Sequence, residues 1–535
     1  MIKKLFTSKA GSITSAAFII GGLSMVSRLF GALRDYILAG TFGAGDTLDA
    51  YTSAFLIPDL LLQLLILGAL SASFIPIFAK HYHHDAEKAW RFTNTIFNVF
   101  GVVFAVAAGL AILTAPWTVP IIAPGYGVEK MAMTVSMSRV MYIAELFFAA
   151  SMVFGSVLQG TRRFFLYALA PIVNNIGIIV GVIIFVPVLG PIGLAWGSVL
   201  GAMMHALLQG IGVYALGYTY RPVFNLRDPD LRTTAIQMIP RVLGLAVSQG
   251  NFVVMTAMAS VLLAGSTTVF KLAYNLNSFP IGVIAMAYAV ASFPMLCERV
   301  AAKDMLGFVQ TFSSAVRNVL LWIVPATVMF LLLRAQLVRL AFGGKNFDWA
   351  ATVTTADTLA LFTMSFAAQA LVTILVRAFF ALEDAKTPFV VAIISTVVNI
   401  GLGSVLAPHF GVIGLSAAFS ISAIVQIALL WVCLRHKVGA LDEKRILRTT
   451  FIISIAAVIG GVVTQGVKYA VVGLIPLNSW ISVFVQTAFA GGLGFAAYIA
   501  CGLVLRNEDM TAFTRSIHRK MFRRSAPVEV VSTVV

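Results

Sequence analysis

Residues 12–41 read SITSAAFIIGGLSMVSRLFGALRDYILAGT, a run long enough to cross a membrane yet interrupted by Arg28, Arg34 and Asp35. As one helix the run would extend about 45 Å, more than the roughly 30 Å of a hydrocarbon core, so it must tilt or bend. A charge at mid-bilayer costs about 2.5–3.5 kcal/mol, and such residues normally face a partner or a water-filled cavity. The segment therefore predicts a membrane helix that carries a functional polar site.

The composition places the rest of the chain in a membrane as well. Of the 535 residues, 60% are hydrophobic and only 11% are charged, whereas a soluble domain carries roughly 25% charged residues. The net charge of +16 is explained by cytoplasmic Lys and Arg facing anionic headgroups, so nucleic acid is not expected as a partner. The first apolar run lacks a clean cleavage site, which favours a retained span over a signal peptide.

Apolar runs of about 20 residues predict an all-α polytopic membrane protein with about fourteen transmembrane helices. Lys and Arg in the segments on the same side of the membrane as the N-terminus outnumber those in the segments on the opposite side by about five to one, which predicts that both termini are cytoplasmic. The predicted spans are 12–41, 48–79, 92–118, 132–158, 164–187, 191–217, 234–263, 267–297, 308–333, 354–382, 387–407, 412–434, 449–472 and 478–505.

The two halves of the chain resemble each other in order. NNIGIIVG (174–181) matches VNIGLGSV (398–405), and GPIGLAWGSVL (190–200) matches GVIGLSAAFSI (411–421). Such repeats favour two pseudo-symmetric six-helix bundles around a central cavity. The predicted organisation is a cytoplasmic N-terminus (1–11), an N-terminal bundle (12–217), a linker (218–233), a C-terminal bundle (234–434), a basic loop (435–448), two extra helices (449–505) and a basic cytoplasmic tail (506–535).

Basic residues inside the spans indicate the kind of substrate. Guanidinium groups bind phosphate in a bidentate manner, so a cavity lined by arginines favours an anionic, phosphate-bearing substrate. The alternative is an Arg–Asp network that locks helices together, and both roles are compatible if the network breaks during gating. Among the basic residues inside the spans, Arg241 and Arg317 lie near a span end and can snorkel to the headgroups, whereas Arg28 lies deepest in the membrane. The full set is Arg28, Arg34, Arg139, Arg241, Lys271, Arg317 and Arg377.

The sequence contains no motif for bond-making chemistry: P-loop, GxSxG, HExxH and CxxC patterns are all missing. The cysteines Cys297, Cys433 and Cys501 are far apart and predict neither a disulfide framework nor a metal site. The cluster HYHH (81–84) is interpreted as part of an interfacial loop rather than as a metal site. We therefore expect a protein that is not an enzyme and that has no cofactor and no bound metal.

The segment SRLFGALRDYILAGTFGAGDTLDAY (27–51) resembles the opening signature of the MurJ (MviN) family of lipid II flippases, in the multidrug/oligosaccharidyl-lipid/polysaccharide exporter superfamily. Similar segments follow in order, among them PDLLLQLLILGALSASFIPIF, QGTRRFFLYALAPIVNNIGIIVG and RAFFALEDAKTP. The resemblance implies a transporter in the cell inner membrane that moves lipid II (undecaprenyl-pyrophosphate-linked disaccharide-pentapeptide) to the outer leaflet by alternating access.

The same resemblance implies further parts of the transporter. These are a cationic central cavity for the pyrophosphate, a groove at the last two spans for the polyprenyl tail, and resetting by membrane potential or a coupling cation. Peptidoglycan synthesis proteins are the expected protein partners. The implied substrate-binding residues are Arg28, Arg34, Asp35 and Asp49. Arg28 and Arg34 would contact the pyrophosphate, Asp35 would orient an arginine, and Asp49 would serve a gate or the headgroup.

This chain departs from the family pattern in its charges. Leu62 and Gln63 stand where many members have two arginines, Leu67 replaces a glutamate, and Asn275 replaces an arginine. The cavity would therefore keep less positive charge than is usual in the family. The candidates for substitute cavity residues are Lys271, Asn275, Arg241 and Arg377.

Two alternative functions remain open at this point. One is a flippase for another polyprenyl-pyrophosphate oligosaccharide, or a cation-coupled exporter, although an exporter of cationic drugs would favour acidic cavity residues. The other is a non-transporting membrane scaffold for cell-wall enzymes, which the missing arginines would favour.

Overall fold

The computed structural model describes residues 13–64, 74–472 and 479–522, with the side chains at 13–18, 237–248, 472 and 516–522 outside that description. Every regular element in these ranges is helical, which confirms the predicted all-α class. The α-helices are α1 (Ile13–Phe42), α2 (Asp46–Leu62), α3 (Ile75–His84), α4 (Ala86–Ile122), α5 (Val128–Gly160), α6 (Phe164–Val180), α7 (Val186–Leu189), α8 (Gly193–Tyr214), α9 (Pro229–Ser260), α10 (Ser266–Pro280), α11 (Met286–Ala301), α12 (Met305–Leu332), α13 (Arg334–Phe342), α14 (Trp349–Thr363), α15 (Phe366–Ala381), α16 (Lys386–Phe410), α17 (Val412–Val438), α18 (Glu443–Val472), α19 (Trp480–Val504) and α20 (Glu508–Phe522).

Nine helical runs within the described ranges are long and apolar enough to cross a membrane. A tenth is formed by α14 and α15 if they are one span broken by a 46° bend. The run Phe164–Tyr214 counts once, although it covers two of the predicted spans, because short π and 3₁₀ turns join α6, α7 and α8. The chain is therefore a multi-pass membrane protein, and the count of fourteen spans stays a prediction.

Aspartates begin helices on the side predicted to be cytoplasmic. The Asp85 side chain accepts the backbone N–H of Lys88 at 3.0 Å at the start of α4. The Asp304 side chain accepts the N–H of Gly307 at 2.8 Å at the start of α12. Each carboxylate satisfies a backbone donor that the helix leaves open and interacts favourably with the positive end of the helix dipole. Both helices therefore begin in the polar loop, before the apolar run.

The helices group into two compact units. Unit 1 contains the described residues of Met1–Tyr274, Val338–Thr358 and Ala392–Phe419, whereas unit 2 contains the described residues of Asn275–Leu337, Leu359–Val391 and Ser420–Val535. The division into two six-helix bundles inferred from the repeats stays a prediction.

Close packing of small residues fixes the helices of unit 1 that carry the candidate site. Gly177 of α6 and Gly181 of the π turn that follows face Gly201 and Gly197 of α8, with no room for a Cβ atom on either side. Small residues let helix backbones approach closely in a membrane, where packing rather than the hydrophobic effect drives association. α6 also packs along α1, so its polar residues reach the charged centre of the first span.

Unit 2 packs around a core that includes Phe308, Phe312 and Phe366. Arg317 of α12 forms an ion pair with Asp509 of α20 at 2.8 Å, with side chains only 5% and 13% exposed. Burial raises the pKa of the Asp509 carboxyl, although the neighbouring guanidinium opposes that effect. The interpretation of Arg317 as a snorkelling residue is therefore replaced by a buried pair that docks the C-terminal helix.

Candidate functional site

The charged centre of α1 is oriented by α6. Arg34 donates from Nε (2.9 Å) and Nη2 (2.7 Å) to Oδ1 of Asp35 and from Nη1 to Oδ1 of Asn175 at 3.0 Å. Asn175 in turn donates a hydrogen bond from Nδ2 to the carbonyl oxygen of Pro171 at 3.0 Å. The side chains of Arg34 and Asp35 stay 26% and 14% exposed. A guanidinium held in one orientation yet accessible is suited to bind an anionic group.

Arg28 and Lys271 add positive charge to this region. Arg28 lies on the exposed surface of α1, less than two helical turns before Arg34. Lys271 of α10 is partly buried, with Nζ 4.8 Å from the ring centroid of Phe252. It also lies within electrostatic range of Arg34 and Asp35. The structure thus brings the candidate substitute cation Lys271 to the charged region of α1.

Asp59 of α2 places a second carboxylate in this region. Its Oδ2 accepts a hydrogen bond from Nε2 of Gln63 at 2.6 Å, and it lies within electrostatic range of Lys271. Gln63 is one of the positions where the family pattern has arginine, and here a neutral amide serves as the donor instead. The carboxylates of Asp35 and Asp59 therefore lie close to the cations of Arg34 and Lys271. We call these four residues, together with Arg28, the basic cluster.

The other candidate substitutes belong to unit 2 or have side chains outside the described part of the chain. Asn275 and Arg377 belong to unit 2, and Arg377 donates from Nη2 to Sδ of Met286 at 3.0 Å. Arg241 lies in α9, but its side chain is outside the described part of the chain, and Leu67 lies outside the described residues altogether. Within unit 1, Lys271 is the candidate substitute with a described side chain, and it lies within electrostatic range of Arg34 and Asp35.

Asp49 occupies a buried and fully bonded position. Its Oδ1 accepts the backbone N–H and the hydroxyl of Thr268, both at 2.7 Å. Its Oδ2 accepts the backbone N–H of Gly265 at 2.8 Å and Nζ of Lys130 at 2.7 Å. Because Gly265 directly precedes α10 and Thr268 lies in its first turn, Asp49 caps that helix from α2. Asp46, 62% exposed, is the second partner of Lys130 at 2.8 Å.

Four loops that the charge bias predicts to lie outside meet around Asp49. Tyr126 donates to the backbone oxygen of Asp49 and lies within hydrogen-bond distance of Thr267, both at 3.1 Å. The backbone N–H of Asn346 donates to the carbonyl oxygen of Gly40 at 3.2 Å. We call this region the outer junction; it comprises residues 40–49, 123–130, 260–268 and 344–346, all within unit 1.

Two glycines allow the loops of the outer junction to approach this closely. Gly265 has φ +88°, and a Cβ atom there would strike the carbonyl oxygen of Ala44. Gly43 has φ +66°, and a Cβ atom there would strike the carbonyl oxygen of Asn346. Other residues rarely adopt such φ values. Backbone conformation and space therefore both require glycine at these positions.

The histidine cluster serves a structural contact. His81 Nε2 lies 2.7 Å from Oδ2 of Asp230, at the start of α9. In the parts of the chain that the structure describes, no group of three or more His, Cys, Asp or Glu side chains is arranged to hold a metal ion.

Sequence reasoning missed three residues that build these sites. Asn175 could have been noticed as one of two adjacent polar residues in an otherwise apolar span, and Lys130 as a lone basic residue in an outer loop. No sequence signal marks Thr268, which meets Asp49 from 219 positions away.

Comparison with known proteins identifies the family. The family model described as lipid II flippase MurJ matches residues 38–484, well over half of the chain. The chain belongs to the MurJ family. The prediction made from the signature at 27–51 is thereby confirmed. A probable lipid II flippase MurJ from Rhizobium meliloti is 27% identical to this chain, over 94% of this chain and 95% of its own length.

Solved structures share the fold of this MurJ family member. A lipid II flippase MurJ in an inward closed conformation superposes with a TM-score of 0.75 at 21% identity, covering 94% of this chain and 100% of its own. An inward-facing multidrug resistance transporter of the MATE family superposes with a TM-score of 0.66 at 13% identity, covering 80% and 99%. This second likeness shows a shared fold.

Proposed function

We propose that this chain is a lipid II flippase, which moves undecaprenyl-pyrophosphate-linked disaccharide-pentapeptide from the inner to the outer leaflet of the inner membrane. The observation that carries the proposal is the MurJ family match across residues 38–484. Flipping a lipid makes and breaks no covalent bond, so the protein acts as a transporter and not as an enzyme. It needs a site that recognises the headgroup and gates that open on one side at a time.

The basic cluster is the proposed headgroup site. Arg28 and Arg34 bind the pyrophosphate, and Lys271 adds a third cation in place of the family arginines that this chain lacks. Asp35 keeps the Arg34 guanidinium in its bonded orientation until a phosphate replaces it as the partner. The 26% and 14% exposure of the Arg34 and Asp35 side chains supports this role, because an ion pair that water still reaches exchanges partners more readily than a fully buried pair.

Asp49 is the proposed outer gate residue rather than a headgroup ligand. Both of its carboxylate oxygens are already used by donors from Gly265, Thr268 and Lys130. A buried pair of this kind is costly to break by removing one partner, which suits a latch. The transport cycle then requires the junction to separate so that the headgroup leaves on the outer side.

Two pseudo-symmetric bundles are proposed to carry out the alternating access. Helices in the second half begin between 219 and 222 residues after helices in the first half, which supports an internal repeat of the kind that transporters use. The paired starts are Asp46 with Ser266, Ala86 with Met305, Val128 with Trp349, Phe164 with Lys386 and Gly193 with Val412.

The proposed membrane arrangement has fourteen spans with both termini in the cytoplasm. α18 and α19, which pack against each other, are the two extra helices, and their surface is the proposed groove for the polyprenyl tail. Membrane potential or a coupling cation resets the cycle, and peptidoglycan synthesis proteins receive the lipid II.

Complementation tests the proposal directly. Cells depleted of their own lipid II flippase receive this chain, and lipid II in the outer leaflet is measured. We expect growth and outer-leaflet lipid II to return to normal. Normal accumulation of the protein in the membrane without lipid II translocation would contradict the proposal.

A further inference from the structure

α5 carries a buried acid that neither the basic cluster nor the outer junction uses. Glu145 is 0% exposed, and neither of its carboxylate oxygens has a hydrogen-bond partner among the described residues. Tyr142 and Ala149, about one helical turn away, belong to an apolar cluster that also contains Leu62 and Phe104. An ionised carboxylate in such surroundings would cost several kcal/mol. Glu145 is therefore held in its neutral, protonated form in this conformation.

One carboxylate lies within electrostatic range of Glu145. This is Asp59 on α2, which packs along α5. Asp59 is only partly buried and also interacts with Lys271 of the basic cluster. Two carboxylates that share a poorly solvated region resist being ionised together. Asp59 thus gives a polar connection between the enclosed Glu145 and the accessible basic cluster.

The other ionisable groups on the helices around α5 have their own partners. His205 of α8 is hydrogen bonded to Ser151, and Arg139 of α5 donates to the carbonyl oxygen of Ile112 at 3.2 Å. The membrane stretch of α4 after residue 91 contains no Asp, Glu, Lys, Arg or His, and the ionisable residues of α3 lie between residues 80 and 84. No cation therefore neutralises Glu145 among the described side chains.

We propose that Glu145 is a proton-binding site of the transport cycle and that its proton exchanges through Asp59. The proposal rests on the transport function proposed above and names its coupling ion. A metal cation needs several oxygen ligands at once, whereas the surroundings of Glu145 are apolar. A proton needs one carboxylate oxygen, and it converts the charged group into the neutral group that this site accepts.

The site couples to the outer junction through α2. Asp49, in the outer junction, and Asp59 lie on this one helix, about 15 Å apart along its axis. Protonated Glu145 fits the present packing, in which the outer junction is closed. Loss of the proton leaves a charge that must gain water or leave the apolar cluster, which disfavours this packing. Low pH therefore stabilises the closed junction, and rising pH releases it.

The test measures opening of the outer junction against pH without lipid II. Ala50, 0% exposed and next to Asp49, is replaced by cysteine in a chain whose native cysteines are replaced by alanine. Maleimide labelling of the purified protein is normalised at each pH to the denatured protein. We expect labelling to rise with pH by up to about tenfold per pH unit, the limit for one proton, and to lose this dependence in the Glu145→Gln variant.

Glu87→Gln is the matched control, because Glu87 is a 73% exposed acid in the first turn of α4 and lies outside the outer junction and the basic cluster; its pH response should equal that of the parent. A parent without pH response, a Glu145→Gln variant that keeps the response, or a response that requires Na⁺ would each overturn the proposal.

If the Glu145→Gln variant does not fold, infrared spectra of the parent protein with isotope-labelled glutamate provide the test. A protonated glutamic acid band at neutral pH is expected, and its absence overturns the proposal. Because no lipid II is present, failure to flip lipid II is a separate result that would contradict the proposed function alone.

Discussion

Two ion pairs in unit 1 have the same length but different surroundings. Arg34–Asp35 and Lys130–Asp49 are both 2.7 Å long. The side chains of the first pair are 26% and 14% exposed, whereas those of the second are 12% and 2% exposed. A buried, fully bonded pair resists separation, while an accessible pair can exchange its partner. Burial and the number of bonds, rather than distance, therefore distinguish the proposed binding site from the proposed gate.

The largest effect should come from removing the proposed phosphate ligands. Arg34→Ala and Arg28→Ala should each lower lipid II translocation by about a hundredfold or more while the protein still accumulates. Because each tenfold change in the rate corresponds to about 1.4 kcal/mol, a hundredfold loss corresponds to about 2.8 kcal/mol of charge-assisted binding. Outer-leaflet lipid II in depleted cells is the measurement.

Arg139→Ala is the matched control for this prediction. Arg139 is also a span arginine, but it is exposed and donates to a backbone carbonyl outside the basic cluster. Its removal should leave translocation near normal. If Arg139→Ala and Arg34→Ala were equally defective, the basic cluster would not be the binding site.

A second, smaller effect should appear at the outer junction. Asp49→Asn should destabilise the closed junction by about 2 kcal/mol, below the usual 3–5 kcal/mol for a broken buried pair, because Asp46 still contacts Lys130. Maleimide labelling of the Ala50→Cys reporter should rise accordingly. Asp46→Asn, which changes the exposed partner of the same lysine, should cost less than about 1 kcal/mol. Equal labelling of the two variants would mean that Asp49 is not the latch.

Lys271→Met tests whether the basic cluster has recruited a substitute cation. We expect translocation to fall by about tenfold, since one ammonium at the edge of the site is lost while both arginines remain. Methionine keeps much of the side-chain volume against Phe252. If translocation were unchanged, Lys271 would not compensate for the family arginines that are replaced here by Leu62, Gln63 and Asn275.

The smallest effect should come from the pair of Lys437 and Asp384, 2.9 Å apart in unit 2, because its lysine is 42% exposed and its aspartate 16% exposed. Hydrogen bonds from the Lys437 ammonium and the backbone N–H of Thr387 hold the pKa of Asp384 below its usual range. This stabilisation is present above the ordinary aspartate pKa and is lost as pH falls through the lower folded-state pKa. Asp384→Asn should therefore cost less than about 1 kcal/mol at neutral pH.

Thermal unfolding of the parent and of Asp384→Asn across pH checks this last prediction. Their midpoints should differ slightly at neutral pH and converge in strong acid. A difference as large as that caused by Asp49→Asn would remove the distinction between buried and exposed pairs.

Helix positions were predictable from sequence because hydrophobic length and flanking polar residues act locally. The predicted span 132–158 lies within the observed helix Val128–Gly160, and 412–434 lies within Val412–Val438. The charged residues of the first span were predictable as a site because their cost in a membrane needs no knowledge of their partners.

The partners themselves depend on tertiary contacts that leave no local signal. Asp49 could be assigned a gate or a headgroup role from sequence, and only its bonds to Gly265 and Thr268, more than 200 residues away, favour the gate. The position of Arg317 near a span end predicts snorkelling, and sequence alone gives no sign of its partner Asp509, 192 residues further along the chain.

The most direct test of the account is lipid II translocation in vesicles that contain only this protein. Fluorescent lipid II is placed in both leaflets, and the fraction that becomes accessible to a membrane-impermeant quencher is followed over time. We predict rapid exchange with the parent protein, exchange near the protein-free rate with Arg34→Ala, and near-parental exchange with Arg139→Ala. Exchange by the parent no faster than in protein-free vesicles, or undiminished by Arg34→Ala, would contradict the claim that the basic cluster carries the headgroup of lipid II.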